Sequence, residues 1–89
     1  MQELEEKIEE CIAELKPYRM FSPEATNAIK GLEQLKEQLK NLTKENIDEV
    51  IRGVEEGYRG SLAYSNYIPK TVANLKFIKE WLENKKTTM

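Results

Sequence analysis

The stretch SPEATNAIKGLEQLKEQLKNL, residues 22–42, decides the fold. It opens with a helix-start signal, because serine caps a free amide, proline suits the first helical position and glutamate faces the positive end of the helix dipole. Apolar residues then recur at alternating spacings of three and four, at Ala25, Ala28, Leu32, Leu35, Leu39 and Leu42. Such spacing is typical of helices that pack side by side in a bundle. The stretch therefore predicts a helix over 23–42.

Three more segments show a helical apolar period and are bounded by proline, threonine or glycine. Pro17 ends the first segment, Thr43 is a plausible cap for the third, and Gly60 is its natural stop. The predicted helices are about 2–16, 23–42, 44–59 and 70–84, with a frayed tail at 85–89. Residues 60–69 are read either as one helical turn and a loop or as an extension of the third helix.

These segments predict one domain, 1–89, with an all-α fold: an antiparallel up-and-down four-helix bundle. An acidic first helix and a basic last helix favour their pairing as neighbours. A single cysteine allows no internal disulfide, so helix packing must provide the stability. The predicted buried centre consists of Leu32, Leu35, Leu39, Ile51, Val54, Leu75 and Ile78.

Composition argues for binding rather than catalysis. The chain has no histidine, and its one cysteine, Cys11, falls within an apolar helical stripe, so the usual acid–base and nucleophilic groups are missing. We therefore expect no enzymatic activity and no cofactor. The net charge of −2 argues against a nucleic-acid partner. No apolar run is long enough for a membrane span, and the lone cysteine fits a cytoplasmic, reducing location.

The aromatic residues of the second half are the candidate partner-binding residues: Tyr58, Tyr64, Tyr67, Phe77 and Trp81. The tyrosines lie near Arg59, in a mixture typical of recognition loops, or else pack over the end of the bundle. Phe77 and Trp81 share a helix face opposite the Leu75 stripe. That face either meets a partner or wraps around the edge of the bundle, and a homodimer through it is an open alternative.

Two acidic segments are similar to the metal motif of MazG-type nucleoside triphosphate pyrophosphatases. Residues 5–9 read E-E-x-x-E and residues 45–48 read E-x-x-D. Carboxylates at these spacings share a helix face and could hold magnesium. The resemblance implies a metal-dependent pyrophosphatase that uses Glu6, Glu9, Glu45 and Asp48, as an alternative to solvated helix faces.

The segment from Glu49 through Tyr58, Tyr64 and Pro69, followed by the amphipathic 72–82 helix, resembles the layout of class IIa bacteriocin immunity proteins. That layout is a third helix, a loop, a proline and a fourth helix. The resemblance implies a bacterial or phage four-helix bundle that acts on a protein partner. We therefore expect a small cytosolic protein-binding module: an immunity factor, inhibitor or regulator, with phage or mobile-element inhibitors equally open. A homo-oligomeric structural bundle is the remaining alternative.

Overall fold

The structure, a computed structural model, describes residues 2–89 and contains four α-helices. They are α1 (Gln2–Leu15), α2 (Pro23–Lys40), α3 (Ile47–Leu62) and α4 (Pro69–Thr88), with a short 3-10 turn at Lys16–Tyr18. The described residues form no strand, and the molecule measures 40 × 20 × 20 Å. The predicted all-α, four-helix architecture is confirmed.

Contacts between side chains set the directions of neighbouring helices. In α1 and α4, Glu14 contacts Lys70 whereas Lys7 contacts Phe77, so these two helices run in opposite directions. The ion pairs Asp48–Lys86 and Glu55–Lys79 show the same for α3 and α4. α2 packs against α1, but its contacts with α3 are much sparser than those of the other neighbouring pairs. The bundle is therefore closed on three sides and open between α2 and α3.

The helix bounds differ from the prediction at the α2–α3 junction. α2 ends at Lys40, two residues before the predicted bound at 42, and α3 begins at Ile47 rather than 44. A tight turn between them explains the late start of α3. The Asn46 amide donates to Thr43 Oγ1 at 3.2 Å, and the Thr43 amide donates back to Asn46 Oδ1 at 2.8 Å. Thr43 therefore caps this turn and not the helix itself.

Both later helices run further than predicted. α3 continues to Leu62, so Gly60 is not its stop; glycine ends a helix by turning left-handed, and no glycine here has a positive φ. α4 begins at Pro69 and reaches Thr88, so most of the predicted frayed tail is helical. The Thr87 and Thr88 hydroxyls donate to carbonyls one turn earlier, at 2.7 and 2.9 Å. Residues 60–62 belong to α3 and residues 63–67 form turns, so the stretch 60–69 combines a short extension of the third helix with a loop.

A polar seam joins α1 to α4. Ile68, the residue before α4, has no side-chain group that caps this helix. Instead, Glu14 of α1 accepts hydrogen bonds from the backbone amides of Lys70 and Thr71, at 3.0 and 2.6 Å. Asn74 Nδ2 adds bonds to the Lys7 carbonyl and to Glu10. The acidic first helix and the basic last helix are therefore neighbours. Their seam, however, uses carboxylates on backbone amides and on an amide side chain, while the lysines of α4 pair with α3.

The core is tightest at the end of the bundle that holds the N-terminal half of α1. Its most fully buried large side chains are Leu4, Ile8, Ile47, Ile78 and Leu82. Most of the predicted centre is buried as expected, but Ile51 lies at the edge of the core and is only partly buried. In α2, the predicted Ala28 is exposed and its neighbour Ile29 is buried instead. α2 is thus rotated so that Ala28 lies on its open side.

Candidate protein-binding surface

A long groove lies between α2 and α3, where the two helices are sparsely packed. It encloses about 1000 Å³. Its floor is apolar and includes Leu32, Leu35, Val54 and Leu75. The groove exists because the facing sides of α2 and α3 carry small residues, which leave the space between the two helices unfilled.

Small residues face the groove from both helices: Ala25, Ala28 and Gly31 on α2, and Gly53, Gly57 and Gly60 on α3. These include all four glycines of the chain, and every one lies inside a helix without a positive φ. A β-carbon at position 31, 53 or 60 would meet no atom within 4 Å, and one at position 57 would meet only Leu75 Cδ1, at 3.9 Å. The glycines therefore serve neither a turn nor a close contact within the chain.

The charges along the groove are mostly negative. Glu24, Glu49 and Glu56 line it together with one cation, Arg52. On the floor, Thr71 is only 3% exposed, and its hydroxyl has no hydrogen-bond partner. A buried hydroxyl without a partner is energetically costly. The groove thus combines an apolar floor with an acidic rim.

One end of the bundle gathers exposed apolar side chains. Among residues 2–89, six of the seven exposed large apolar side chains lie there: Tyr18, Met20, Phe21, Leu62, Tyr64 and Tyr67. We call this surface the aromatic end. Met20 and Phe21 are the most exposed, at 89% and 83%. The exposed cations Lys16 and Arg19 belong to the first of the two connecting segments, and Lys70 lies just after the second, in the first turn of α4.

Hydrogen bonds hold the two segments of the aromatic end together. Tyr18 Oη donates to the Tyr67 carbonyl at 3.4 Å, which joins the α1–α2 connector to the α3–α4 loop. Tyr64 Oη donates to Glu24 at 3.4 Å and bridges the loop to α2, at one end of the groove. The Phe21 and Ser22 amides both bond to the Tyr18 carbonyl. The aromatic end is therefore an ordered surface, and it is continuous with the groove.

The five candidate binding residues occupy three environments. Tyr64 and Tyr67 lie together at the aromatic end, whereas Tyr58 is partly buried against the core. Trp81 is also partly buried against the core. This position matches the alternative in which Trp81 wraps around the edge of the bundle. Phe77 is 37% exposed, and the Lys7 ammonium lies 4.5 Å from its ring centre. The structure thus keeps Phe77 and Trp81 apart from the two loop tyrosines.

Sequence reasoning missed Met20 and Phe21 as members of this surface. They lie in the segment between α1 and α2, and about 40 residues separate them from Tyr64. The signal was present, since two adjacent large apolar residues between Pro17 and Pro23 have no helical face to share. The sequence also contains an indication of the groove. Gly53, Gly57 and Gly60 recur at spacings of four and three, which places them on one helix face.

The acidic segments are distributed over the surface of the bundle. Glu9 binds Lys36 at 2.9 Å, and the Lys36 ammonium lowers the pKa of that carboxyl. Asp48 pairs with Lys86. Within residues 2–89 no three histidine, cysteine, aspartate or glutamate side chains are grouped so that they could hold a metal ion. Cys11 is buried, and burial raises the pKa of its thiol to about 11.

Comparisons with known proteins give no relative for this chain. No protein-family model matches it, and neither the curated proteins nor the solved structures contain a significant match. Across residues 2–89, none of the helices combines the length and hydropathy that crossing a bilayer requires. Function must therefore be argued from the groove and the aromatic end.

Proposed function

We propose that this chain is a small, non-enzymatic module that binds a protein partner and acts by occluding it. An inhibitor, an immunity factor or a regulator of bacterial or phage origin would work in this way. The resemblance of the layout over residues 49–82 to the class IIa bacteriocin immunity proteins supports a partner that is itself a protein. The location we propose is the cytoplasm.

The observation that carries the proposal is the concentration of exposed apolar side chains at the aromatic end. Single exposed apolar residues are normal on a protein surface, but a contiguous group marks an interaction site. Tyrosine, phenylalanine, methionine and arginine are the residue types enriched in the centres of protein interfaces, and this end contains all four.

The order of the aromatic end favours binding as well. Its two segments are held by the Tyr18–Tyr67 and Tyr64–Glu24 hydrogen bonds and by backbone turns. A preorganised surface loses less conformational entropy when it binds. The cations Lys16, Arg19 and Lys70 around the apolar centre favour an acidic rim on the partner.

Affinity capture with matched variants tests this proposal. The tagged chain, the double variant Met20→Ser/Phe21→Ser and the control Phe77→Ser are each incubated with extract of the source cells. We expect one protein to be retained in stoichiometric amount by the unchanged chain and by Phe77→Ser, and to be lost from the double variant. Equal retention by the double variant would refute the role of the aromatic end.

A circular dichroism melt of each variant accompanies the capture. Met20 and Phe21 are almost fully exposed, so their replacement should leave the melting temperature nearly unchanged. Retention that falls only together with helical content would assign these side chains to folding and contradict the proposal.

A further inference from the structure

We infer that the groove between α2 and α3 receives one amphipathic α-helix of the partner, with small or apolar residues on its docking face and basic residues beside them. The inference rests on the proposed function, because it specifies which part of a protein partner the module binds. The groove adjoins the aromatic end and shares Tyr18, Tyr64 and Tyr67 with it, but Met20 and Phe21 do not line the groove, so the inference can fail independently of their role.

The glycines provide the first argument. A glycine inside a helix costs about 1 kcal/mol relative to alanine, and one use of glycine is to let a ligand approach the backbone closely. Here four such glycines line one groove, and the space above Gly31, Gly53 and Gly60 is empty to at least 4 Å. Nothing within the chain uses that space. A docked helix could approach the backbones of α2 and α3 closely at these positions.

The size and lining of the groove provide the second argument. Its walls span residues 24–38 of α2 and 49–61 of α3. At 1.5 Å per residue this is roughly 20 Å, the length of a helix of about four turns. An apolar groove between two helices typically binds the apolar face of an amphipathic helix, through residues at positions i, i+3, i+4 and i+7.

The charges along the groove favour a basic helix as its ligand. Three carboxylates and one guanidinium line the groove, so basic residues beside the apolar stripe of the guest are favoured. A second copy of this chain would bring another acidic groove against the first, which is unfavourable.

The probe for this site is a synthetic helical peptide made of lysine, leucine and alanine, with leucine and alanine at i, i+3, i+4 and i+7. Its matched control carries glutamate in place of lysine. Because all four glycines of the chain line the groove, their backbone amide signals in a nitrogen–proton NMR spectrum report on it directly. We expect the lysine peptide to shift all four glycine signals and the glutamate peptide to shift none.

Two substitutions test the close approach. Gly53→Leu places a side chain in the empty groove. It should lower the affinity for the lysine peptide by about tenfold or more, and tenfold equals about 1.4 kcal/mol. Ala73→Leu, at an exposed position of α4 outside the groove, should leave the affinity unchanged. Gly53→Ala is the smaller variant if the leucine variant does not fold.

Glycine signals that stay unmoved at millimolar lysine peptide would overturn the inference, and so would equal affinities of the Gly53 and Ala73 variants. Capture that still depends on Met20 and Phe21 would then leave the proposed function standing. Conversely, glycine shifts combined with capture that ignores Met20 and Phe21 would refute the role of the aromatic end alone.

Discussion

Replacing groove glycines by alanine should stabilise the protein. A β-carbon at Gly31, Gly53 or Gly60 meets no atom within 4 Å, so the substitution introduces no clash. Each glycine in a helix interior is less favourable than alanine by about 1 kcal/mol, and the alanine also restricts the unfolded chain. The triple variant should therefore gain about 2 to 3 kcal/mol in free energy of unfolding, because the three sites do not contact one another.

Urea unfolding followed by circular dichroism measures this gain, and thermal melts check it. For a domain of this size, each kilocalorie raises the melting temperature by about 4 to 8 °C, so the triple variant should melt roughly 10 to 20 °C higher. The control is the reverse change at an exposed helical site, Ala13→Gly, which should lose about 1 kcal/mol. An unchanged or lower stability of the triple variant would show that the fold itself needs these glycines, and would refute the reasoning.

Four further substitutions test other parts of the structure. Glu14→Gln should cost about 2 kcal/mol in urea unfolding, because the carboxylate caps α4 through the amides of Lys70 and Thr71; an unchanged midpoint would show that the cap is dispensable. Trp81→Ser should lose about 2 kcal/mol because the ring packs against the core, while Phe77→Ser should lose less; equal losses would contradict their different burial. Burial raises the pKa of the Cys11 thiol from 9.0 to about 11, so the stability that depends on the protonated thiol is full below pH 9 and is lost as the pH rises towards 11. Cys11→Ala should remove this loss of stability from a plot of urea midpoint against pH. A plot that stays parallel to that of the unchanged chain would refute the raised pKa of Cys11.

The sequence predicts the helices well where their start signals are local. Ser22 accepts a hydrogen bond from the Ala25 amide at 3.2 Å, as the Ser-Pro-Glu signal indicates. Gly60 misled the prediction because the same residue serves as a helix stop or as a gap in a helix surface, and only the backbone angle distinguishes the two. The start of α3 was misplaced because the Thr43–Asn46 bonds form a separate turn before the helix.

The candidate site was predictable only in part. Tyr64 and Tyr67 can be identified from the sequence because they are aromatic residues in a predicted loop. That they lie at the same end of the bundle as Met20 and Phe21 follows only from the tertiary structure, in which the α1–α2 and α3–α4 connections are joined. The groove depends on the separation of α2 and α3. The glycine spacing in α3 indicates a helix face of small residues, but it does not indicate that α2 leaves this face uncovered. Residues that are merely small in the sequence become the walls of a site once two helices face each other with few contacts between them.

Backbone hydrogen–deuterium exchange of the chain, alone and with its captured partner, tests the central claim most directly. The account predicts that partner binding slows exchange in residues 16–22 and 63–68, which form most of the aromatic end. It predicts slower exchange along the groove-facing parts of α2 and α3 as well. Protection confined to the outer face of α1 and α4 around Phe77, with the aromatic end unchanged, would contradict the account.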